Sequence, residues 1–315
     1  MFAALATFSD WFTLTILRIP EGRWTEVISF FIEDTIKIFL LMAVIIFIVT
    51  YLRSYLPPQK IKALLSQRFP IIGHFLAAGI GIVTPFCSCS AIPLFLGLVE
   101  SGVPLGVTFS YLVSAPMVNE VAAVLLFGLF GWKAMLLYIG SGVLLAVITG
   151  FILGTLHLDH LLILAETAPP KPGADLPTTR DRLQRAYRYT KNLLKNIFPY
   201  VLLGVGAGAF IHGYAPADFL AQYAGKSNPL AVPIAVLIGV PLYSNAAGTI
   251  PIVQSLVEKG LPMGTALAFM MSITALSVPE MIILKKVMKT KLLALYVGIL
   301  TVGIIFTGYL FNAVL

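Results

Sequence analysis

Charge is scarce in this chain. Aspartate, glutamate, lysine and arginine make up 11% of its 315 residues, where a soluble domain carries about a quarter. With 58% hydrophobic residues and a mean hydropathy of +0.94, that scarcity excludes a water-soluble domain and predicts an integral membrane protein. Cysteine is scarcer still, with two residues, Cys87 and Cys89. Thiols at i, i+2 pair only with strain, so a disulfide framework is excluded and both are read as free. Also missing are a Walker A motif, an HExxH motif and a Gly-x-Ser-x-Gly elbow. The chain is therefore not expected to be an enzyme or to hold a cofactor, and any work it does draws on a gradient or a partner.

The net charge of +7 does not point to nucleic acid, because the basic residues cluster at the ends of apolar runs, where positive charge fixes topology. The opening "MFAALATFSDWFTLTILRIPEGRW" has no basic stretch ahead of its apolar residues and carries Asp10 within them. Residues 1–25 read as an interfacial amphipathic segment rather than a cleaved leader.

What the chain has in quantity is long apolar runs, at about 36–56, 69–100, 103–130, 133–157, 196–215, 230–258, 261–285 and 291–315. A hydrocarbon core of about 30 Å takes roughly 20 helical residues, and the runs are continuous rather than alternating, so helices are expected and a barrel is not. The Pro-rich, then basic stretch 158–195 separates two four-segment halves, 26–157 and 196–315. It reads as a cytoplasmic linker ending in an amphipathic helix that Thr178 or Thr179 caps.

The halves look related. "PFCSCSAIPLFLGLVESGVPLGVTFSYLVS" aligns with "PLYSNAAGTIPIVQSLVEKGLPMGTALAFMMS" once two residues are inserted after Ser-Cys or Ser-Asn. Pro85 then matches Pro241, Pro93 matches Pro251, Glu100 to Gly106 match Glu258 to Gly264, and Glu120 matches Glu280. Basic residues flank three loops: Arg53 to Arg68, Lys171 with Arg180 to Lys195, and Lys285 to Lys291. All three belong on the cytoplasmic side. Eight simple crossings would put neighbouring loops on opposite faces, which violates that rule twice. Re-entrant hairpins at 69–100 and 230–258 remove the conflict, because each carries a proline-bounded break, "TPFCSCSAIP" and "VPLYSNAAGTIP". The expected fold is an all-α polytopic membrane protein of two inverted repeats, each with three transmembrane helices and one broken re-entrant hairpin. Eight simple transmembrane helices are the alternative.

Non-helical backbone at membrane depth is tolerated where protein or a water-filled cavity surrounds it, and transporters build midplane sites from such breaks. Cys87, Ser88 and Cys89, with Tyr243, Ser244 and Asn245 in the other half, are therefore candidate substrate ligands. Thiolates suit Cu(I), Zn(II) and trivalent arsenic-like centres, and Cys87 and Cys89 are candidate metal ligands; cysteine as small apolar filler is the bland reading. Glu120 follows Asn119 deep in an apolar run, where an ionised carboxylate costs several kcal/mol. Glu120 and Glu280 are candidates for proton coupling, with a packed polar pair or a lysine-neutralised acid as the structural readings. His74 and His212 read as hydrogen-bonded structural groups rather than ligands, and Glu33, Asp34 and Lys37 as interfacial pairing. "GVGAGAF" at Gly204 to Gly208 lacks the spacing and preceding strand of a nucleotide fingerprint and reads as close helix packing.

"TPFCSCSAIPLF" and "SAPMVNE" resemble the predicted permease family that includes YraQ-like proteins and the ArsP organoarsenical efflux permeases, and the resemblance runs from the first crossing to the last. It implies a multi-pass permease of a bacterial-type inner membrane. Within the family ArsP exports trivalent organoarsenicals and relatives are described as metal-ion exporters. The carry-over falls on Cys87, Ser88, Cys89, Asn119 and Glu120. A gradient-driven exporter of a soft, thiol-binding molecule or ion, with the lipid bilayer as its surroundings, is the expected function. A transporter of a sulfur-containing anion and a membrane thiol–disulfide relay enzyme are the alternatives; the strain of an i, i+2 pair disfavours the relay. The oligomeric state stays open.

Overall fold

The computed structural model describes residues 9, 11–16, 22–53, 70–83, 88–118, 120–163, 178–214, 229–242 and 246–315. Every helix or strand longer than an isolated bridge among them is helical. In chain order these are α1 (Arg23–Arg53), α2 (Pro70–Val83), α3 (Ser88–Glu100), α4 (Leu105–Met117), α5 (Glu120–Thr155), α6 (Thr179–Tyr214), α7 (Ala231–Gly239), α8 (Ala246–Glu258), α9 (Met263–Ala275), α10 (Val278–Val287) and α11 (Thr290–Val314). A π-helical turn, Phe12–Ile16, precedes them and packs on α1. There the Ser9 and Ser29 hydroxyls lie 3.0 Å apart.

Among the described residues two helices are long and apolar enough to cross a membrane, Ala122–Thr155 and Thr290–Val314. The expected hairpin breaks fall between helices: α2 stops at Val83 and α3 starts at Ser88, α7 stops at Gly239 and α8 starts at Ala246. Two further breaks were not expected. The apolar run 103–130 divides at Val118, which is extended (φ −120°, ψ 99°) two residues after Pro116. The run 261–285 divides between α9 and α10, where Pro279 sits in the first turn and the axis bends by 44°. In both places proline removes a helical hydrogen-bond donor inside a run that hydropathy alone reads as continuous.

The turns after α3 and α8 are alike. Gly102 (φ 77°) and Gly260 (φ 92°) take the left-handed conformation that ends a helix without a Cβ clash. The Gly102 N–H donates to Val99 at 2.9 Å and the Val103 N–H to Leu98 at 3.1 Å; Gly260 donates to Val257 at 2.9 Å and Leu261 to Leu256 at 3.0 Å. Pro104 and Pro262 then open α4 and α9 with nearly equal backbone angles.

Contact registers fix the directions. His74 of α2 meets Ser110 of α4, and a Cβ on Gly81 would overlap Ser114, so α2 and α4 run the same way. Gly142 faces Met117 and Val118 while Gly150 and Gly154 face Gly106, so the second part of α5 returns along α4. Between the two parts Gly131 (φ 82°, ψ 175°) interrupts the helical angles. Helices α5 and α11 are antiparallel, since Gly303 abuts Leu145 and the Lys133 ammonium donates to the Val314 carbonyl at 2.9 Å. Helix α2 lies at the Gly150 end of this pair and α7, through Val232 against Gly308, at the other end. Helices α1 and α6 are also antiparallel: Phe39 stacks on Phe198 with centroids 5.1 Å apart, and Gly206 faces Phe31.

Helix α6 is continuous from the basic stretch into the apolar one, with Pro199 inside. Thr178 caps it: its hydroxyl accepts the Asp181 N–H at 3.3 Å, and the Asp181 carboxylate accepts from the Thr178 N–H at 3.1 Å and hydroxyl at 2.6 Å. Those bonds from Thr178, then Arg185 and Arg180, hold Asp181 below its ordinary carboxylate range. The start of the linker is tied to the α10–α11 junction, where the Ile163 N–H donates to Val287 and the Lys289 N–H to Leu161, each at 2.8 Å.

Candidate functional site

Three of the breaks, those that follow α4, α7 and α9, lie close together in the fold. The hydroxyl of the fully buried Tyr138, on α5, donates to the Met117 carbonyl at 2.9 Å with Thr274, at the end of α9, beside it. One side chain thus joins the C-terminal ends of α4 and α9. The Val278 N–H, opening α10, donates to the Val240 carbonyl at 3.1 Å, which brings the end of α7 to the same junction. A helix end offers unsatisfied carbonyls and a helix start unsatisfied amides, so the meeting of these ends concentrates backbone ligands.

Among the expected site residues, Cys87, Asn119, Tyr243, Ser244 and Asn245 lie outside the described residues. Ser88 and Cys89 open α3 and Glu120 opens α5, with their side chains likewise outside. Glu280 is described: it stands in the first turn of α10 and is 1% exposed. The fully buried Tyr296 of α11 lies in its neighbourhood. Phe109 bridges from Tyr296, centroids 5.6 Å apart, to Phe95 at 5.3 Å, packing α11, α4 and α3 together.

His74 is buried with its Nδ1 2.8 Å from the Ser110 hydroxyl, a structural pair rather than a ligand facing the junction. Glu33 pairs with Lys37 one turn on. The His212 side chain lies outside the described residues. No group of three His, Cys, Asp or Glu side chains placed to hold a metal occurs among the described residues. Sequence reasoning missed Tyr138, Thr274 and Tyr296. The available signal was the pair of tyrosines, each set within an apolar run of its own half.

A family model described as a predicted permease matches residues 23–313. A UPF0718 protein of Methanocaldococcus jannaschii is 24% identical over 80% of this chain and 88% of its own length. A protein of Streptococcus mutans, named as a candidate subunit of a two-component membrane permease complex, is 23% identical over 78% of each chain. The UPF0718 protein YraQ of Escherichia coli is 24% identical over 66% of this chain and 58% of its own. No solved structure matches. An all-helical chain with apolar spans and a nearly full-length family match is a membrane transport protein, and it belongs to the ArsP-type, YraQ-like predicted permease family.

Proposed function

We propose that this chain is a multi-pass permease of a bacterial-type inner membrane that exports a soft, thiol-seeking substrate, a trivalent organoarsenical or a metal ion, through a midplane site at the tips of two hairpins. Cys87 and Cys89 capture the substrate, Ser88, Asn119 and Tyr243 to Asn245 complete the pocket, and Glu120 and Glu280 exchange protons as the halves rock. The observation that carries this reading is the Tyr138 hydroxyl joining the ends of α4 and α9. With the bond from the Val278 N–H to the Val240 carbonyl, it gathers the helix ends that flank 119 and 243–245.

Inverted repeats are part of the proposal, and paired geometry supports them. Gly81 against Ser114 has its counterpart in Gly239 against Ser272, Gly106 against Gly150 in Gly264 against Gly308, and Tyr138 in Tyr296. One constant spacing relates every pair. Counterpart helices α1 and α6, like α5 and α11, run antiparallel, as an axis in the membrane plane requires. At that spacing Cys87 corresponds to Asn245 with no inserted residues, and Glu120 corresponds to Val278 rather than to Glu280.

The topology has its own support. The bonds between 161–163 and 287–289 hold the linker and the third basic loop on one face. The antiparallel packing of α1 on α6 sets Arg53 beside the basic start of α6. In a background without native cysteines, single cysteines at 60 and 289 will react with an impermeant maleimide from the same side of the membrane; labelling from opposite sides refutes the inverted arrangement.

The substrate assignment is tested on the purified full chain with methylated trivalent arsenic, Cu(I), Zn(II) and thiosulfate. Cys87→Ser and Cys89→Ser will each weaken soft-substrate binding by roughly tenfold or more, because a hydroxyl is a poor ligand for soft centres. Undiminished binding in both variants removes thiol capture, and tight thiosulfate binding in wild type and both variants alike transfers the site to the anion reading.

A further inference from the structure

We propose that the groove between α1 and α6 is a binding site for an anionic phospholipid. The groove has a volume of about 640 Å³, within the range of roughly 300–1,000 Å³ typical of small-molecule sites. One wall is hydrocarbon: Ala43, Val44, Phe47 and Ile48 of α1, with Val44 and Ile48 about half exposed. Its other wall carries the polar groups, Tyr187 and Lys191 of α6, both exposed. The mouth is placed by depth. Residues 43–48 lie within the last three turns of α1 before Arg53, so an acyl chain on this wall has its phosphate near the basic start of α6.

Charge selects the headgroup. Arg188 and Lys195 are exposed one turn to either side of Lys191, and between 179 and 195 the one acidic residue, Asp181, is engaged at the helix cap. Each lysine or arginine near a membrane surface attracts anionic lipid by about 1 kcal/mol. A second copy of the chain is a poorer occupant, because a twofold interface would set this basic stripe against itself. A soluble anion has no use for the apolar wall. Tyrosine at the mouth fits the headgroup level, where its ring is buried and its hydroxyl wet.

The test needs no transport assay, so its failure is separable from failure of the permease reading. The full chain is purified in detergent with equimolar phosphatidylglycerol and phosphatidylcholine of identical acyl chains, and retained lipid is counted by native mass spectrometry. Phosphatidylglycerol will be retained in preference. Lys191→Gln will lower that preference about fivefold, the equivalent of one positive charge, and Ala43→Trp, which fills the groove, will reduce retention of both lipids. Equal retention of the two lipids by wild type overturns the proposal. So does retention that neither substitution changes, or a dimer that Ala43→Trp dissociates without any loss of lipid.

Discussion

Gly106→Ala and Gly264→Ala will each lower the thermal midpoint of the detergent-solubilised protein by roughly 5 °C, the counterpart of about 3 kcal/mol of overpacking in a chain of this size. Helices in a membrane gain little from hydrophobic exclusion and associate by close packing, so a glycine at a contact sets how near two backbones come. A Cβ on Gly106 would lie 2.5 Å from the Gly150 carbonyl oxygen and 2.7 Å from the Gly154 Cα. One on Gly264 would overlap the backbone nitrogen of Asn312 and the carbonyl of Gly308. None of these is the far end of a side chain, so the relief available is separation of α4 from α5 or of α9 from α11. At Gly264 separation would also break the bonds from the Thr265 N–H to Asn312 Oδ1 and from Asn312 Nδ2 to Thr265 Oγ1, each 3.1 Å. Gly140 and Gly298 supply the control, since a Cβ at either meets nothing within 4 Å. There alanine brings its helical preference of about 1 kcal/mol over glycine, and the midpoint will hold or rise. If all four variants melt alike, close glycine packing does not hold these helices.

These glycines mark what was legible in the sequence and what was not. The turns after α3 and α8 were visible as Glu-x-Gly-x-Pro in both halves, because left-handed backbone and helix starts demand those residue types. The breaks at Val118 and after Ala275 were hidden inside apolar runs, since hydropathy reports burial in lipid and not continuity of the helix, although Pro116 and Pro279 lay beside them. Local register was hidden too. Matching Pro85 with Pro241 needed two inserted residues, whereas Gly81 and Gly239, each fitted against a serine of the next helix but one, need none. The link from Tyr138 to Met117 was beyond reach, because its acceptor is a backbone carbonyl that every residue carries.

Glu280→Gln will slow transport by about two orders of magnitude and flatten its dependence on pH while leaving the thermal midpoint near that of wild type. Glu280 is 1% exposed in the first turn of α10, at the junction where α7, α9 and α10 meet. An ionised carboxylate at membrane depth costs roughly 3 kcal/mol, and a helix N-terminus offsets part of that in whichever conformation faces it. Gain and loss of one proton at this carboxyl therefore biases the rocking equilibrium by up to that amount. Glutamine mimics the protonated acid permanently, holds the protein on one side of the cycle, and leaves a barrier that about 3 kcal/mol converts to a hundredfold in rate. Glu120→Gln is expected to act through the same chemistry but not to the same extent. At the constant spacing of the paired glycines Glu280 corresponds to Ala122, not to Glu120, so the two residues hold different positions in their helices, the first of α5 and the third of α10. Full rate and an unchanged pH profile in both variants remove proton coupling from these residues.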